Sequence, residues 1–248
     1  MAEKENKIRN SNRPSQTEPQ QQIGWVRDYF VTLVVSVLFA LFVTTFVAHP
    51  MSVPTPSMDS TIMVGDRLIV DKFTLRPEKT DWKDRLFLHR DIHRKDIIVF
   101  KFPKDPTVPY VKRVIGLPGD TLQIINKTVH INGQPLDEPY KKHIDPNIYS
   151  NADGPYHEAY KRDNFGPIKI PEKCYFMMGD NRDNSEDGRF WGFVPENLIL
   201  GRPLLVFWSY EDDPYRQLST GETAALYVKR VITFLTKTRW TRTGHIVR

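Results

Sequence analysis

Three short stretches of this 248-residue chain carry side chains able to do chemistry. The first, Pro54-Thr55-Pro56-Ser57-Met58-Asp59-Ser60-Thr61, sets hydroxyl side chains on a backbone stiffened by prolines, and a rigid loop presenting a serine suits a nucleophile. The second, Tyr110-Val111-Lys112-Arg113-Val114, reads as a strand whose alternation puts Lys112 on the same apolar face as Tyr110 and Val114. A lysine held there loses solvation in its charged form. Lowering its pKa from about 10.4 to about 8 asks for roughly 3 kcal/mol, which partial burial can supply. The neutral amine could then take a proton from Ser57 as general base. The competing reading is a surface strand on which Lys112 snorkels over apolar neighbours.

The third stretch, Gly179 to Arg189, is dense in charge and follows the strand-like run CYFMM directly. Asp183, Ser185, Asp187 and Gly188 fall at the first, third, fifth and sixth positions of a calcium-binding EF-hand loop, but the twelfth is Val194, so the bidentate glutamate is missing. No metal is expected, and the loop reads instead as a hydrogen-bonded polar turn packed under a site. The 7 histidines are scattered and no GxSxG elbow is present, which argues against a Ser-His-Asp hydrolase. Cys174 is a single cysteine in an apolar run and reads as core; with one cysteine the chain can form no internal disulfide.

These stretches need elements to hold them. Short apolar or alternating runs recur at 66–73, 96–102, 110–117, 121–133, 174–180 and 204–210, rich in Val, Ile, Phe and Tyr and bounded by Pro-Gly, Asn-Gly and Gly-Asp pairs. That pattern predicts a mainly β, antiparallel domain. Residues from about 134 to 171 turn polar and predict a subdomain inserted between strands. Residues 29–48 carry no charge, Gly or Pro, and about 20 helical residues cover roughly 30 Å, enough to cross a bilayer. Lys4, Lys7, Arg9, Arg13 and Arg27 precede this segment and no Lys or Arg follows it until Arg67, so the positive-inside rule puts residues 1–28 in the cytoplasm and the β domain outside. The expected division is a flexible tail over 1–28, a transmembrane helix over 29–49, a catalytic β domain over 50–220 and a basic amphipathic tail over 221–248. That tail lies on lipid or packs on the domain.

The excess of 35 Lys+Arg over 30 Asp+Glu is then assigned largely to the two tails, and nucleic acid drops out as a partner because the domain lies outside the cytoplasm. A mean hydropathy of −0.47 excludes a polytopic membrane protein, and the 40% apolar content excludes a disordered one.

In this order behind an apolar N-terminal segment, PTPSMDSTIMVGDRLIVDKF (54–73), RKDIIVFKFP (94–103), YVKRVIGLPGD (110–120) and GDNRDNSEDGRFWGFVP (179–195) resemble the bacterial type I signal peptidases, the leader peptidase family. The resemblance implies a membrane-bound serine protease with Ser57 as nucleophile and Lys112 as general base, needing no cofactor. It further implies that Ser185 orients the Lys112 amine and that the Ser57 amide and Thr55 hydroxyl form the oxyanion hole. Arg113 with Asp180, and Asp187 with Arg189, would be supporting ion pairs, and Val53, Met58, Ile62 and Tyr110 would line a shallow pocket for a small side chain. The substrate would lie extended beside Met51–Val53 and Val108–Val111. Partners would be signal-peptide-bearing preproteins, the lipid bilayer and the translocation machinery, at the outer face of the inner membrane. Ser60, Lys95 and Gly188 depart from the family pattern, where Pro, Gly and Ser are usual. The rival reading is an inactive single-pass scaffold of the export machinery that keeps the fold alone.

Overall fold

The computed structural model describes residues 20–44, 48–72, 90–150, 157–211 and 232–247. The chain divides into two compact units, Met1–Val43 and Thr44–Arg248. In the first, helix α1 (Gln20–Phe42) carries an apolar, 19-residue stretch, Gly24–Phe42, long enough to cross a membrane, with its large apolar side chains exposed. Nothing in water would leave such a surface uncovered, which fits an anchor. The helix begins well before residue 29, because Gln20–Asp28 continue the same helical turn geometry despite their polarity.

The second unit is mainly β. Its strands are β1 (Ala48–Ser52), β2 (Asp66–Asp71), β3 (Ile97–Phe102), β4 (Asp105–Gly116), β5 (Thr121–Ile125), β6 (Thr128–Ile131), β7 (Gln134–Pro135), β8 (Phe165–Lys169), β9 (Cys174–Met178), β10 (Val194–Pro195), β11 (Ile199–Ser209) and β12 (His245–Ile246). Among the described residues they form two antiparallel sheets, one ordered β1-β2-β11-β3-β4-β9-β10 with β12 on β11, the other β7-β6-β5-β8. β4 runs between β3 and β9, with Ile98 opposite Lys112, and Ile97 and Met178 both opposite Arg113. From Val111 to Gly116 every residue of β4 is buried, so side chains on both faces of that strand are out of water. A core shared by the two sheets joins Ile115, Phe176 and Met178 to Leu122, Ile124 and Val129.

Each strand-like run of the sequence falls on a strand, the run 121–133 on two, β5 and β6, while Phe73 lies outside the described residues. β1 did not stand out, because Pro50 reads against a strand. It is tolerated because β1 is an edge, paired with β2 alone, so Pro50 opposite Ile69 has a side where no N–H is needed. In the polar insertion lie β7, helix α2 (His157–Asp163) and β8, while 151–156 fall outside the described residues. A third short helix, α3 (Gly188–Trp191), follows the charged loop.

The end of the chain differs from a free amphipathic tail. Residues 212–231 lie outside the described residues, but 232–247 fold into the β domain through a short helix α4 (Phe234–Lys237), a bridge from Thr238 to Tyr210 and the pairing of β12 with β11. Val247 is buried in the same core as Val53 and Leu68. Two arginines of this segment turn inward. Arg242 pairs with the buried Asp66 carboxylate at 2.5 Å and donates to the Thr61 carbonyl at 3.0 Å, and Arg239 donates to the carbonyls of Val64 and Tyr210. Periodicity showed basic residues on a helix; it could not show that their acceptors wait in the turn at 61–66.

Candidate active site

Ser57 sits in a short 3-10 turn, Pro56–Met58, entered from an extended Thr55. Proline at the first helical position supplies the required φ and gives up only an N–H that would have no partner there. The Ser57 amide is likewise among those a helix start leaves without an internal acceptor. The turn is tied down from behind: the Asn181 amide donates to the Ser57 carbonyl at 3.0 Å, and Asn181 Nδ2 donates to the Pro56 carbonyl at 3.1 Å.

Lys112 reaches this turn from the middle of the sheet. Its Nζ donates to Ser57 Oγ at 2.7 Å, and the two residues are 3% and 6% exposed. Burial is the main cause that lowers the Lys112 pKa to about 8; the carboxylates of Asp187 and Glu186 pull it upward and Arg189 pushes it down again. A substantial neutral fraction at mildly alkaline pH follows, which a water-exposed lysine lacks.

The charged loop packs beneath this pair. Arg113 Nε and Nη2 donate to Asp180 at 2.8 and 2.7 Å, and the same carboxylate accepts from Thr61 at 2.6 Å. Arg189 grips Asp187 with bonds of 2.8 Å from both Nε and Nη2, and burial alone would raise the Asp187 pKa, but Arg189 holds it below the usual value. Both anticipated ion pairs are therefore present and buried. Arg113 also donates to the Lys95 carbonyl at 2.8 Å. Lys95 has φ of 77°, so the position where the resembled family carries glycine needs a left-handed backbone here too, at a cost of roughly 1–2 kcal/mol for a residue with a Cβ. Gly188 leaves no such opening, since a Cβ on it would meet the Met177 carbonyl and the Phe176 ring at 2.9 Å.

Other expected residues are placed differently. Ser185 is buried near the dyad but makes no hydrogen bond to Lys112. Its hydroxyl has no partner by geometry, though it lies near enough to Asp187 to favour the ionised carboxyl. It is held away by packing against Gly179, where a Cβ would fall 2.3 Å from Ser185 Oγ and 2.5 Å from the Ser57 carbonyl. Thr55 is exposed, with its hydroxyl 3.4 Å from Ser57 Oγ.

A cleft of about 380 Å³ opens over Ser57 and Lys112. It is lined by Met51, Val53 and Pro54, by Val108 to Val111, and by Asn184 and Glu186. Val53 and Tyr110 line it as expected. Met58 and Ile62 do not: both are 0% exposed in the core with Leu68, Val70 and Val206. The reason is local. The Ile62 amide donates to the Met58 carbonyl at 2.7 Å, so the chain folds back and sends both side chains beneath the turn.

The polar insertion braces the site in a way no motif announced. Glu138 forms a buried pair with Arg182, Ser60 donates to the Tyr140 carbonyl at 2.7 Å, Lys142 pairs with Asp59 at 2.9 Å, and the Lys142 amide donates to the Asp180 carbonyl at 2.8 Å. The Ser60 bond is one that a proline there could not make. His143 and the amides of Ile144 and Asp145 bond the Asp183 carboxylate. The only signals available in sequence were unpaired charges in a polar stretch, with partners far along the chain.

A sequence model of the family described as signal peptidase, peptidase S26, matches residues 26–208. A signal peptidase I of Leptolyngbya laminosa is 39% identical over 71% of this chain and 77% of its own. One from Bacillus licheniformis is 34% identical over 76% of this chain and 89% of its own. A solved signal peptidase I from Enterococcus faecalis is 30% identical, covers 46% of this chain and 97% of that one, and superposes with a TM-score of 0.36. With the family match running from the apolar helix through β11, and relatives of this identity over most of both chains, this protein belongs to the signal peptidase family S26, a family of serine-type endopeptidases.

Proposed function

We propose that this protein removes N-terminal signal peptides from exported preproteins, cutting after small side chains with Ser57 as nucleophile and Lys112 as general base. The observation that carries the reading is the 2.7 Å contact between Ser57 Oγ and a buried Lys112 amine at the floor of an extended, largely apolar cleft. As Ser57 Oγ bonds to the scissile carbonyl carbon, its proton passes to Lys112 Nζ. The carbonyl oxygen takes up negative charge, which the Ser57 amide and the Thr55 hydroxyl stabilise. Collapse breaks the C–N bond, and the departing amine of the mature protein takes the proton from the Lys112 ammonium. The signal peptide is left as an ester on Ser57. Lys112 then accepts a proton from water as the hydroxide adds to the ester, and returning that proton to Ser57 Oγ frees the signal peptide and restores the enzyme.

Arg113–Asp180 and Arg189–Asp187 act as buttresses, and Ser185 packs the loop against the Ser57 turn. Met51–Val53 and Val108–Val111 hold the substrate extended, with Val53 and Tyr110 beside its small side chains. The helix α1 anchors the enzyme in the inner membrane with its N-terminus cytoplasmic and the β domain outside, where the translocation machinery delivers preproteins. Shared anchoring raises the effective concentration of a membrane-spanning signal peptide. Cleavage of a purified preprotein in detergent with EDTA present tests this. Ser57→Ala and Lys112→Ala are expected to lose at least about 10³-fold in kcat/KM, while each single His→Ala stays near wild type. An active Lys112→Ala variant would overturn the base assignment, and an inactive wild type would restore the scaffold reading.

A further inference from the structure

Of the side chains lining the cleft, only Tyr110, Lys112 and Glu186 are ionisable, and only Glu186 is exposed. Lys112 is held on Ser57, and the Tyr110 phenol has its pKa raised, by burial first and Glu186 second, so it stays neutral at ordinary pH. Among the described residues Glu186 forms no salt bridge or hydrogen bond. With Lys112 neutral, as the proposed reaction requires, the cleft presents one charge to a substrate, and it is negative. Glu186 and Asn184 line the cleft together with the apolar side chains of Met51, Val53 and Val108.

Given the proposed reaction, on which this inference rests, we infer that Glu186 is a specificity-determining residue that favours cationic and disfavours acidic side chains beside the scissile bond. The small residues that define a cleavage site are taken by the apolar walls. Glu186 must then meet a side chain that points out of those pockets, at position −2, or that lies beyond the cut, at +1 or +2. An acidic side chain brought there loses water and meets a like charge that no salt bridge neutralises, whereas a lysine gains an ion-pair partner that no side chain of the enzyme already bonds. The neighbouring positions of the loop cannot supply this selectivity, because Asp183 and Asp187 are spent on partners of their own.

The test is a set of preproteins carrying Lys, Ala or Glu at −2, +1 or +2, cleaved by the full-length enzyme, by Glu186→Gln and by Glu186→Lys. For wild type, kcat/KM is expected to favour Lys over Glu at one or more of these positions. Glu186→Lys should change that ratio at least about fivefold toward Glu at the same position, with Glu186→Gln between them, and added salt should shrink the difference. An unchanged ratio at all three positions in both variants, with the alanine substrates still cut, would overturn the role of Glu186 alone. Failure of wild type to cut any of the substrates would overturn the proposed reaction, and the role of Glu186 with it.

Discussion

In the proposed mechanism Lys112 must be neutral to accept the Ser57 proton. With a pKa of about 8, kcat/KM should rise close to tenfold per pH unit below that value and level off above it. An acid limb centred near 6.5 would instead mark a histidine. The same burial has a cost in stability. The ordinary lysine value is 10.5, so between about 8 and 10.5 the unfolded chain binds more protons than the folded one, and stability rises with pH across that window. At pH 7 the buried amine costs on the order of 3 kcal/mol. Lys112→Met should therefore be inactive yet melt at a higher temperature than wild type at pH 7, with the gap closing toward pH 10. At the back of the same site, Gly179→Ala places a methyl 2.3 Å from Ser185 Oγ and 2.5 Å from the Ser57 carbonyl. The Ser57 carbonyl cannot retreat without moving the turn that carries Ser57. The expected result is a loss of about 100-fold in kcat/KM together with a roughly 1–3 kcal/mol fall in stability, read by kinetics and thermal melting together.

At the scale of elements, the turn that carries Ser57 is held by segments distant in sequence. The loop after β9 bonds its carbonyls, the start of the polar insertion bonds that loop, and the segment 232–247 closes over the turn at 61–66. Arg242 is the joint between the last two. It pairs with Asp66, which is 0% exposed and also accepts from Ser209 and the Met63 amide. Removing one partner of a buried pair strands the other. Arg242→Ala should cost about 3 kcal/mol, visible in urea denaturation, and should lower kcat because Thr61, which supports Asp180, moves with the turn. Arg239→Lys, which keeps a charge but loses the guanidinium Nη2 that donates to both the Val64 and Tyr210 carbonyls, should show a smaller effect of the same kind.

At the scale of the whole molecule, every residue assigned to the reaction belongs to the unit Thr44–Arg248, and none to the helix-bearing unit. The two have separable jobs. A variant lacking residues 1–43 should cleave a short soluble peptide with kcat/KM within about threefold of the full chain, because no catalytic group is lost. On preproteins embedded in vesicles it should be slower by at least about tenfold, since substrate and enzyme no longer share a surface. Equal rates on both substrates would show that the anchor contributes nothing to encounter.

Composition and local pattern were enough to specify the apolar span and the antiparallel β class, and they marked Ser57 and Lys112 as candidates that the resemblance then joined. Each of those depends on the run of residue types within a single segment, and hydrophobic period and turn residues report such properties directly. The ion pairs Arg113–Asp180 and Asp187–Arg189 were legible through resemblance, which encodes packing that one sequence alone does not display. What the tertiary structure decided concerns contacts between segments far apart in the chain. Met58 and Ile62 were read as pocket residues, but the direction in which a turn folds back put them in the core. Ser185 faces Gly179 rather than Lys112, and the insertion supplies Glu138 to Arg182 from 44 residues away. Arg242 finds Asp66 across a separation of 176. Charge and periodicity say that such groups need partners; only the strand order, which sets what lies opposite what, says which partners they find.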